Sequence, residues 1–477
     1  MADYKAPDVY IKDVVSGSQS ITQASSSVGA LIGVTKSGAV NVAQKIGSWT
    51  EFIAKYANGL DTPFDENSFL PYSVYGFFAN GGKELYIVSV KKNGVKATVT
   101  SETNKITATA SSEGEWGNDI KVSIKKSYDF SEDNKSFNIT ISLGTNESVN
   151  ITDVTLETIS SSVINNIKAK QWLDVFSVDK SVTELAEEEF VLTGGTNGDE
   201  LKDSDYVDSL SALDILDDLT MVAIPGQTSK VVNDALLSYC DNNGLFPFLD
   251  MPVGSTVEET KAYRKSISAW TGALCYPWGK VSDPLSEDLK TVPTAGHVMG
   301  VYARTIESRG IHKAPAGVDA VVRGFVEMEY RVSATDIKTL NPIGVICITP
   351  KPNAGIVLWG ARSLNSTDTT MRYVSDGLLN LNIKKSLYEG TLFAVFEPND
   401  KQLWSKVGTA CTAFLENLRQ TGALKGTADE AYYVKVDETN NTDDTISNGE
   451  LNIEVGYAPV KPAEFVIIKL AHSIVSE

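Results

Sequence analysis

The sequence contains little of what most enzyme active sites need. Histidine occurs only three times in 477 residues, as His297, His312 and His472. None of them lies in an H-E-x-x-H motif or a Cys/His cluster, so a zinc site is not predicted. Ser and Asp are abundant, which leaves a Ser-His-Asp triad open, but no G-x-S-x-G elbow marks a nucleophile. We therefore predict no catalytic residue, no cofactor and no metal, and expect a protein that is not an enzyme.

Phosphate loops and paired cysteines are also missing. The segment 193–198 is glycine-rich but lacks the Lys-Ser/Thr of a Walker loop, and acidic residues follow it. We interpret it as an interdomain turn. The cysteines lie far apart without C-x-x-C spacing, which is typical of reduced, buried thiols. They are Cys240, Cys275, Cys347 and Cys411.

Long apolar runs and basic charge are scarce as well. No stretch approaches the roughly 18 apolar residues that span a bilayer, so we expect no membrane insertion. Charges in residues 1–8 stand where a signal peptide has its apolar core, which predicts synthesis in the cytosol. The chain has 42 Lys and Arg and 61 Asp and Glu, so its net charge is −19, which argues against direct nucleic-acid binding.

The acidity is densest between residues 181 and 220. This stretch contains twelve carboxylates and only one cation, Lys202. Such a stretch is either an electrostatic contact surface or a solvated face, and the solvated face is the commoner case. We expect much of this charge to face solvent.

What the sequence does contain is enough length for about three domains and clear apolar periodicity. Residues 92–192 are rich in Thr, Ser, Asn and β-branched residues, and apolar residues alternate with polar ones at 120–124 and 137–143. This period predicts half-buried antiparallel strands. We interpret the region as a β-sandwich inserted into a larger protein.

Helices and strands alternate after residue 200, which predicts a parallel sheet covered by helices. The predicted helices are 205–218, 229–241 and 257–268, and the predicted strands are 219–224, 245–249 and 273–276. A long amphipathic helix follows Asp400, and Gly422 is suited to a left-handed cap at its end.

Both ends of the chain contain strand-like runs with no obvious local partner. Residues 7–15 are rich in β-branched residues and lack a hairpin. Three strands are predicted at 431–436, 450–455 and 463–470, and the last one follows Pro459 and Pro462. Each terminal run pairs either with a distant part of its own chain or with another molecule.

Several motifs occur together in one order along the chain. They are Tyr4–Ile11, Gly29–Gly38, Phe77–Gly82, Glu115–Asp119, Tyr276–Trp278, Arg309–Gly317, Trp359–Ser363, Phe396–Asn399 and Pro462–Val466. Each motif alone is weak, but the ordered set covers nearly the whole length. With these motifs the chain resembles the contractile phage tail sheath protein family, which includes sheaths of myoviruses and of contractile injection systems.

The resemblance implies a multidomain α/β fold. Its parts are a central subtilisin-like parallel α/β domain without catalysis, an inserted antiparallel β-sandwich, an α+β C-terminal domain, and extended N- and C-terminal strand arms. The expected boundaries are 1–20 for the N-terminal arm, 21–91 for the first part of the assembly body, 92–196 for the insertion, 197–355 for the subtilisin-like domain, 356–462 for the C-terminal domain and 463–477 for the C-terminal arm.

The resemblance also implies a function. A sheath of this family polymerises as stacked hexameric rings around an inner tail tube and contracts to drive the tube through a cell envelope. The implied partners are other copies of the chain, the inner tube protein, and baseplate and tail terminator proteins. The implied location is the virion tail, assembled in the cytoplasm of a host bacterium. An R-type bacteriocin or an extracellular injection system is an alternative, and a subtilisin-like hydrolase or an adhesin built on the insertion would be a different class.

Candidate site residues follow from the same resemblance. The arms would add strands to neighbouring subunits through Val9, Tyr10, Ile11, Phe465, Val466, Ile467 and Ile468. Cations in an otherwise acidic chain are candidate contacts to the tube, namely Lys384, Lys385 and Arg419. The alternative for the arm residues is that they form a strand within the chain's own sheet. The alternative for the three cations is that they are ordinary surface charges.

Overall fold

The computed structural model of the chain describes residues 20–57, 59–145, 147–465 and 467. The chain forms a large unit, Ser25–Leu381, and a C-terminal unit that combines residues from Asn382 onwards with the N-terminal residues through Ala24. Some predicted arm residues lie outside the described residues, namely Val9, Tyr10, Ile11, Val466 and Ile468.

The large unit begins with short strands and two helices. These are β1 (Gly29–Gly33), β2 (Gln44–Ile46), α1 (Trp49–Tyr56), α2 (Leu70–Ala79) and β3 (Leu85–Ser89). The Ser48 hydroxyl caps α1 by accepting a hydrogen bond from the Glu51 amide at 3.1 Å. Pro71 lies in the first turn of α2, where its missing N–H costs no helical hydrogen bond.

The insertion contains two antiparallel sheets around one core. Its elements are β4 (Thr98–Thr100), β5 (Ile106–Ala110), β6 (Ile120–Lys126), β7 (Phe137–Leu143), β8 (Glu147–Val154), α3 (Ile159–Asn165), α4 (Ala169–Trp172), β9 (Leu173–Val178) and β10 (Glu188–Val191). The strand orders are β10-β6-β7-β8 and β4-β5-β9. Ile120, Val122 and Ile124 are buried while the residues between them are not, so the predicted alternation is confirmed.

The remainder of the large unit alternates helices and strands. Its elements are α5 (Asp203–Ser209), β11 (Met221–Ala223), α6 (Lys230–Asn243), β12 (Phe246–Asp250), α7 (Val257–Ser266), β13 (Ala273–Tyr276), β14 (Gly279–Ser282), β15 (Leu289–Val292), α8 (Ala295–Arg309), β16 (Glu327–Met328), α9 (Ala334–Leu340), β17 (Val345–Lys351) and β18 (Gly355–Leu358). A three-stranded sheet has the order β15-β14-β16.

One eight-stranded sheet holds the large unit together, in the order β18-β17-β13-β12-β11-β1-β3-β2. The strands from β17 to β3 along this order pair in parallel, and the two edge strands pair antiparallel. The predicted parallel sheet with helices is therefore confirmed. Strands β1 and β3 precede the insertion in sequence, so the insertion interrupts the chain of a single sheet.

The helix predicted for residues 205–218 is wrong in its length. Helix α5 ends at Ser209 and a 3₁₀ turn follows at Leu210–Leu213. Acidic residues suit the first turn, where Asp203 and Asp205 lie, but they oppose the helix dipole further along. The expectation about charge is confirmed, because most carboxylates between 181 and 220 are exposed. The exposed ones are Glu184, Glu187, Glu189, Asp199, Glu200, Asp208, Asp214 and Asp217.

Helices α2 and α8 pack unusually closely. A Cβ atom added at Gly296 would lie 2.6 Å from the Cβ atom of Ser73, and one at Gly300 would lie 2.4 Å from the carbonyl oxygen of Phe77. A side chain at either position would therefore push the two helices apart. The two glycines let the backbones approach to a distance that leaves no gap between them.

The C-terminal unit contains helices and one small sheet. Helix α10 (Val374–Thr391) enters the unit from the large unit, and α11 (Lys401–Gln420), α12 (Ala428–Ala431), β19 (Tyr432–Lys435), α13 (Asp443–Ser447) and β20 (Glu454–Tyr457) follow. Throughout the described ranges, no helix has the length and apolarity that crossing a bilayer requires.

Two sequence predictions in this unit need correction. The strand predicted at 450–455 begins later, at Glu454, and the segment 437–448 contains helix α13, whose first turn is capped by the Thr442 hydroxyl. The strand predicted at 463–470 is not formed by residues 463–465 or by Ile467. An extended segment forms a β-ladder only when a partner strand supplies the hydrogen bonds, and the described residues place none beside it.

Candidate assembly surfaces in the C-terminal unit

Helix α11 is the core element of the C-terminal unit. The Asp400 carboxylate begins it by accepting hydrogen bonds from the amides of Gln402 and Leu403, both at 2.9 Å. One face is buried, and Gly422 follows the helix with a φ of +85°. The buried residues are Leu403, Trp404, Val407, Ala410, Cys411, Phe414, Leu415 and Leu418. The predicted amphipathic helix is confirmed, and its apolar face fixes the position of the small sheet.

The small sheet has only two strands, β19 and β20. They pair antiparallel from Tyr432 opposite Tyr457 to Lys435 opposite Glu454. A two-stranded sheet is marginally stable unless it packs on something else, and here β19 packs on α11. The Tyr432 hydroxyl donates to Glu416 on α11 at 3.0 Å. Because the described part of the sheet is two-stranded, each strand has one edge without a neighbouring strand.

A groove runs between α11 and β19. It has a volume of about 510 Å³ and is lined by α11 residues such as Gly408 and Thr412 and by Val434 on β19. The side of β19 that faces this groove is therefore partly open. A groove beside a strand that has one open edge is a place where another extended segment can contact both main chain and side chains.

Residues 21–24 are fixed on helix α10. The Ala24 amide donates to the Ser386 hydroxyl at 2.9 Å, and the Asn382 side-chain amide donates to the Ala24 carbonyl at 2.8 Å. The Gln23 side-chain amide donates to the side-chain oxygen Oδ1 of Asn382 at 2.9 Å. Ile21 lies against Gly390, where an added Cβ atom would be 2.5 Å from the Ile21 side chain. The chain thus follows α10 from residue 382 towards residue 390 as it runs from Ala24 back to Ile21.

Apolar side chains are exposed in the last turn of α10 and in the residues that follow it. Tyr388, Leu392, Val395 and Phe396, which we call the α10 stripe, have exposed fractions of 70%, 50%, 59% and 103%. Phe396 also has a φ of +67°, a left-handed conformation that bulky side chains seldom adopt. The sequence does not predict this stripe, because apolar residues at helical spacing usually indicate a core face.

The predicted tube contacts differ in their surroundings. Arg419 is paired with Glu416 at 2.6 Å, and hydrogen bonds from Arg419, Gln420 and Tyr432 lower the pKa of Glu416 to about 2. Lys384 is exposed and Lys385 is half-buried on α10. Arg419 is therefore already engaged within the unit, whereas Lys384 presents its charge to solvent.

The predicted C-terminal arm is described at two positions. Phe465 is 72% exposed and Ile467 is 81% exposed. Side chains this apolar gain free energy when they leave water, at about 25 cal/mol per Å² of buried apolar surface. The C-terminal unit therefore combines a two-stranded sheet, an open groove, an apolar stripe and an exposed apolar tail.

Comparison with protein families assigns both units. The family model of the phage tail sheath protein central domain matches residues 199–364, and that of the phage tail sheath C-terminal domain matches residues 368–471. Together these matches cover more than half of the chain. The chain belongs to the phage tail sheath family.

Sheath-family relatives agree in sequence and in fold. The tail sheath protein of Escherichia phage P2 is 24% identical over 253 residues, which are 52% of this chain and 62% of the relative. This chain therefore matches less than two thirds of that protein's length. The sheath of an extracellular contractile injection system, PVC, solved in the contracted state, has a TM-score of 0.63 at 21% identity and covers 99% of both chains. A sheath tail protein from Listeria innocua has a TM-score of 0.64 at 15% identity, over 88% of this chain and 90% of its own.

Of the two described histidines, His297 lies in surroundings unlike those of a serine hydrolase. His297 is 1% exposed and stacks on Phe325 with ring centroids 4.1 Å apart, and burial lowers its pKa to about 3. Its Nδ1 atom, which a triad aspartate would bind, has no hydrogen-bond partner among the described residues. Burial and the Arg309 charge lower the pKa of His312, and His472 lies outside the described ranges. Within those ranges, no group of three or more His, Cys, Asp and Glu residues could hold a metal ion.

Proposed function

We propose that this chain is the sheath subunit of a contractile tail, forming stacked hexameric rings around an inner tube and shortening to drive that tube through a cell envelope. The observation that carries the proposal is the C-terminal unit, where the described residues form a sheet of only two strands and the apolar residues Phe465 and Ile467 are exposed in the same subunit. Sheath-family membership supports it, and so does the likeness to an injection-system sheath solved in the contracted state.

The terminal arms supply the connections between subunits in this proposal. Val9, Tyr10 and Ile11 at one end and residues 465–468 at the other add strands to the β19–β20 sheet of neighbouring copies. Strand addition gives directional attachment through main-chain hydrogen bonds. Each such bond contributes about 0.5–1.5 kcal/mol net, so several strands per subunit are needed to hold a sheath together.

Deleting residues 1–15 tests the arms. The truncated chain is expected to fold, because the deleted residues precede the Ile21–Ala24 contacts with α10, but not to form sheath-length particles in electron micrographs. In the full chain, Tyr10→Pro removes one ladder N–H, whereas Tyr10→Phe keeps it and serves as the matched control. Normal particles from the truncated chain would overturn the role of the N-terminal arm.

Lys384 is the strongest of the proposed tube contacts, with Lys385 beside it and Arg419 third because Glu416 already binds it. Lys384→Glu is expected to weaken assembly on tubes and to change its salt dependence, since the charge would reverse at the contact. Lys425→Glu makes the same change at another exposed lysine of the unit. Equal assembly by both variants at every salt concentration would remove Lys384 from the interface.

Finer features of the architecture belong to the same proposal. We assign the parallel sheet of residues 197–355 to a subtilisin-like domain, the two sheets of residues 92–196 to a β-sandwich, residues 21–91 to the assembly body, and residues 356–462 to the C-terminal domain. The arms are 1–20 and 463–477. Baseplate and tail terminator proteins complete the set of partners, and the particle is assembled in a bacterial cytoplasm.

Two alternatives make different predictions. A subtilisin-like hydrolase would be labelled by a serine-reactive probe, and a sheath would not. An R-type bacteriocin or extracellular injection system has a sheath that works in the same way as a phage sheath. The structural likeness to the PVC sheath supports the extracellular injection system as an alternative. Capsid and terminase genes beside the coding sequence would indicate a phage, and their absence would indicate one of the other two.

A further inference from the structure

The α10 stripe is an apolar surface that the described residues leave open. Its four side chains are at least half exposed and lie within residues 388–396. Exposed apolar residues that are concentrated in a short stretch of chain indicate an interaction site more often than singly scattered ones do. Phe396 combines full exposure with a left-handed backbone, and such strained residues occur preferentially at functional sites.

The N-terminal chain leaves the C-terminal unit next to this stripe. Residues 24 to 21 follow α10 towards its C-terminal end, where Ile21 lies against Gly390. Ser386 and Gly390 lie on the side that binds these residues, while Tyr388 is two positions from each. At about 100° per residue, Tyr388 faces the opposite side of the helix. The segment before Ser20 therefore starts at the end of α10, where a short path leads around to the stripe.

The sequence of that segment fits the path. Residues 16–19 are Ser-Gly-Ser-Gln, which are small or polar, and two apolar residues, Val14 and Val15, precede them. Five extended residues between Ser20 and Val15 span up to about 17 Å. A helix with its side chains is about 10–12 Å across. Val14 and Val15 are thus the first apolar side chains of the segment, and they come within reach of the stripe.

We propose that Val14 and Val15 dock on the α10 stripe of their own chain and fix the root of the N-terminal arm. Val9, Tyr10 and Ile11 then leave the subunit from a defined point. The docking itself follows from the stripe and the path of the chain, whereas its role in presenting the arm rests on the proposed sheath function.

A disulfide trap tests the docking in the full-length chain. The double variant Val15→Cys/Leu392→Cys is oxidised at high dilution and analysed by non-reducing electrophoresis and peptide mass spectrometry. The four native cysteines are all buried and should not compete. The expected product is an intramolecular disulfide between positions 15 and 392. Val15→Cys/Thr409→Cys is the matched control, because Thr409 is exposed on α11.

Three outcomes would overturn the proposal. They are the absence of a disulfide, equal disulfide formation in the control pair, and a disulfide that links two copies, which would assign the stripe to a neighbouring subunit. A second measurement uses Val14→Ser/Val15→Ser, in which amide hydrogen exchange over 388–396 should become severalfold faster than in the wild type. Unchanged exchange would also count against docking.

The outcomes for docking and for sheath function are separable. A chain that forms the intramolecular disulfide but never polymerises on tubes would retain the docking and lose the sheath proposal. A chain that polymerises normally without forming the disulfide would retain the sheath proposal and lose the docking.

Discussion

The large unit and the C-terminal unit differ in how their exposed apolar side chains are distributed along the chain. In the large unit, alternating strands such as β6 and β7 bury one face completely, and exposed apolar residues such as Tyr128 and Ile167 are scattered along the chain. In the much smaller C-terminal unit, four strongly exposed apolar residues fall between 388 and 396, and Phe465 and Ile467 add two more.

This difference separates folding from assembly. Scattered surface apolar groups are normal in soluble domains, whereas a concentrated set needs a partner to leave water. The large unit closes its own cores, so its sequence is constrained mainly by stability. The C-terminal unit leaves more of its apolar residues exposed along a short stretch of chain, and under the proposed function we expect further chain segments to cover them.

The same substitution in the two units gives the largest expected contrast. Phe137 is 1% exposed and packs against Phe130 in the insertion, so Phe137→Ala is expected to cost about 3–5 kcal/mol of unfolding free energy. Phe396→Ala removes an exposed ring and is expected to change stability by less than about 0.5 kcal/mol. Urea unfolding of dilute subunits measures both. A large loss from Phe396→Ala would show that this ring stabilises the isolated subunit.

Two carboxyl groups give opposite pH dependence. Burial raises the pKa of Asp250, in the large unit, to about 6, although it accepts hydrogen bonds from the amides of Gly226, Thr294 and Ala295. A raised folded-state pKa contributes stability below about pH 4 that is lost as the pH rises through 6. The loss is about 3 kcal/mol. Glu416, in the C-terminal unit, has a lowered pKa, so its contribution is present above its unfolded pKa and is lost as the pH falls towards 2.

Asn and Gln variants isolate these two contributions. Between pH 4 and pH 7 the wild type loses the stability that Asp250 contributes, and Asp250→Asn has no such loss. The unfolding free energy at pH 7 minus that at pH 4 is therefore expected to be larger in Asp250→Asn than in the wild type. Glu416→Gln should instead reduce the loss of stability that begins below about pH 5, near the unfolded-state pKa, and continues towards pH 2. Identical pH profiles for Asp250→Asn and the wild type would contradict a buried, high-pKa carboxyl.

Glycine substitutions give the smallest contrast. A Cβ atom at Gly117 in the insertion would lie 2.8 Å and 2.9 Å from the Cβ atoms of Ala97 and Ala110, so Gly117→Ala is expected to cost about 1–3 kcal/mol. No atom lies within 4 Å of a Cβ at Gly408 in α11, and alanine favours helices by about 0.5–1 kcal/mol. Gly408→Ala should therefore stabilise the subunit in thermal unfolding. Reversal of either sign would mean that the local packing differs from that described.

The sequence predicted best where burial alternates along one element. The period of two at 120–124 and 137–143 and the helical spacing from Trp404 to Leu418 each report one buried face, and both were confirmed. Predictions failed at element ends. Helix α5 was predicted nine residues too long, because the periodic pattern continues into a 3₁₀ turn and acidic residues that do not extend the helix.

The assembly surfaces were only partly predictable, for a physical reason. A strand-like run without a local partner can be recognised in sequence, and this led to Phe465 and Ile467, whose side chains are exposed. The α10 stripe was not recognised, because Tyr388 and Leu392 have the spacing of a core face and only the tertiary structure shows which face is covered. The left-handed backbone of Phe396 could not be predicted from the sequence either, since Gly or Asn normally indicates such a conformation.

The tight contact between α2 and α8 has a mechanical consequence. At Gly296 and Gly300 the helices touch without a gap, and interiors packed this closely have low compressibility and transmit strain. A load applied to one helix therefore moves the other instead of being absorbed between them. In a contracting sheath, a stiff contact of this kind would transmit force as movement of the second helix. The missing side chains of Gly296 and Gly300 are what make the contact stiff.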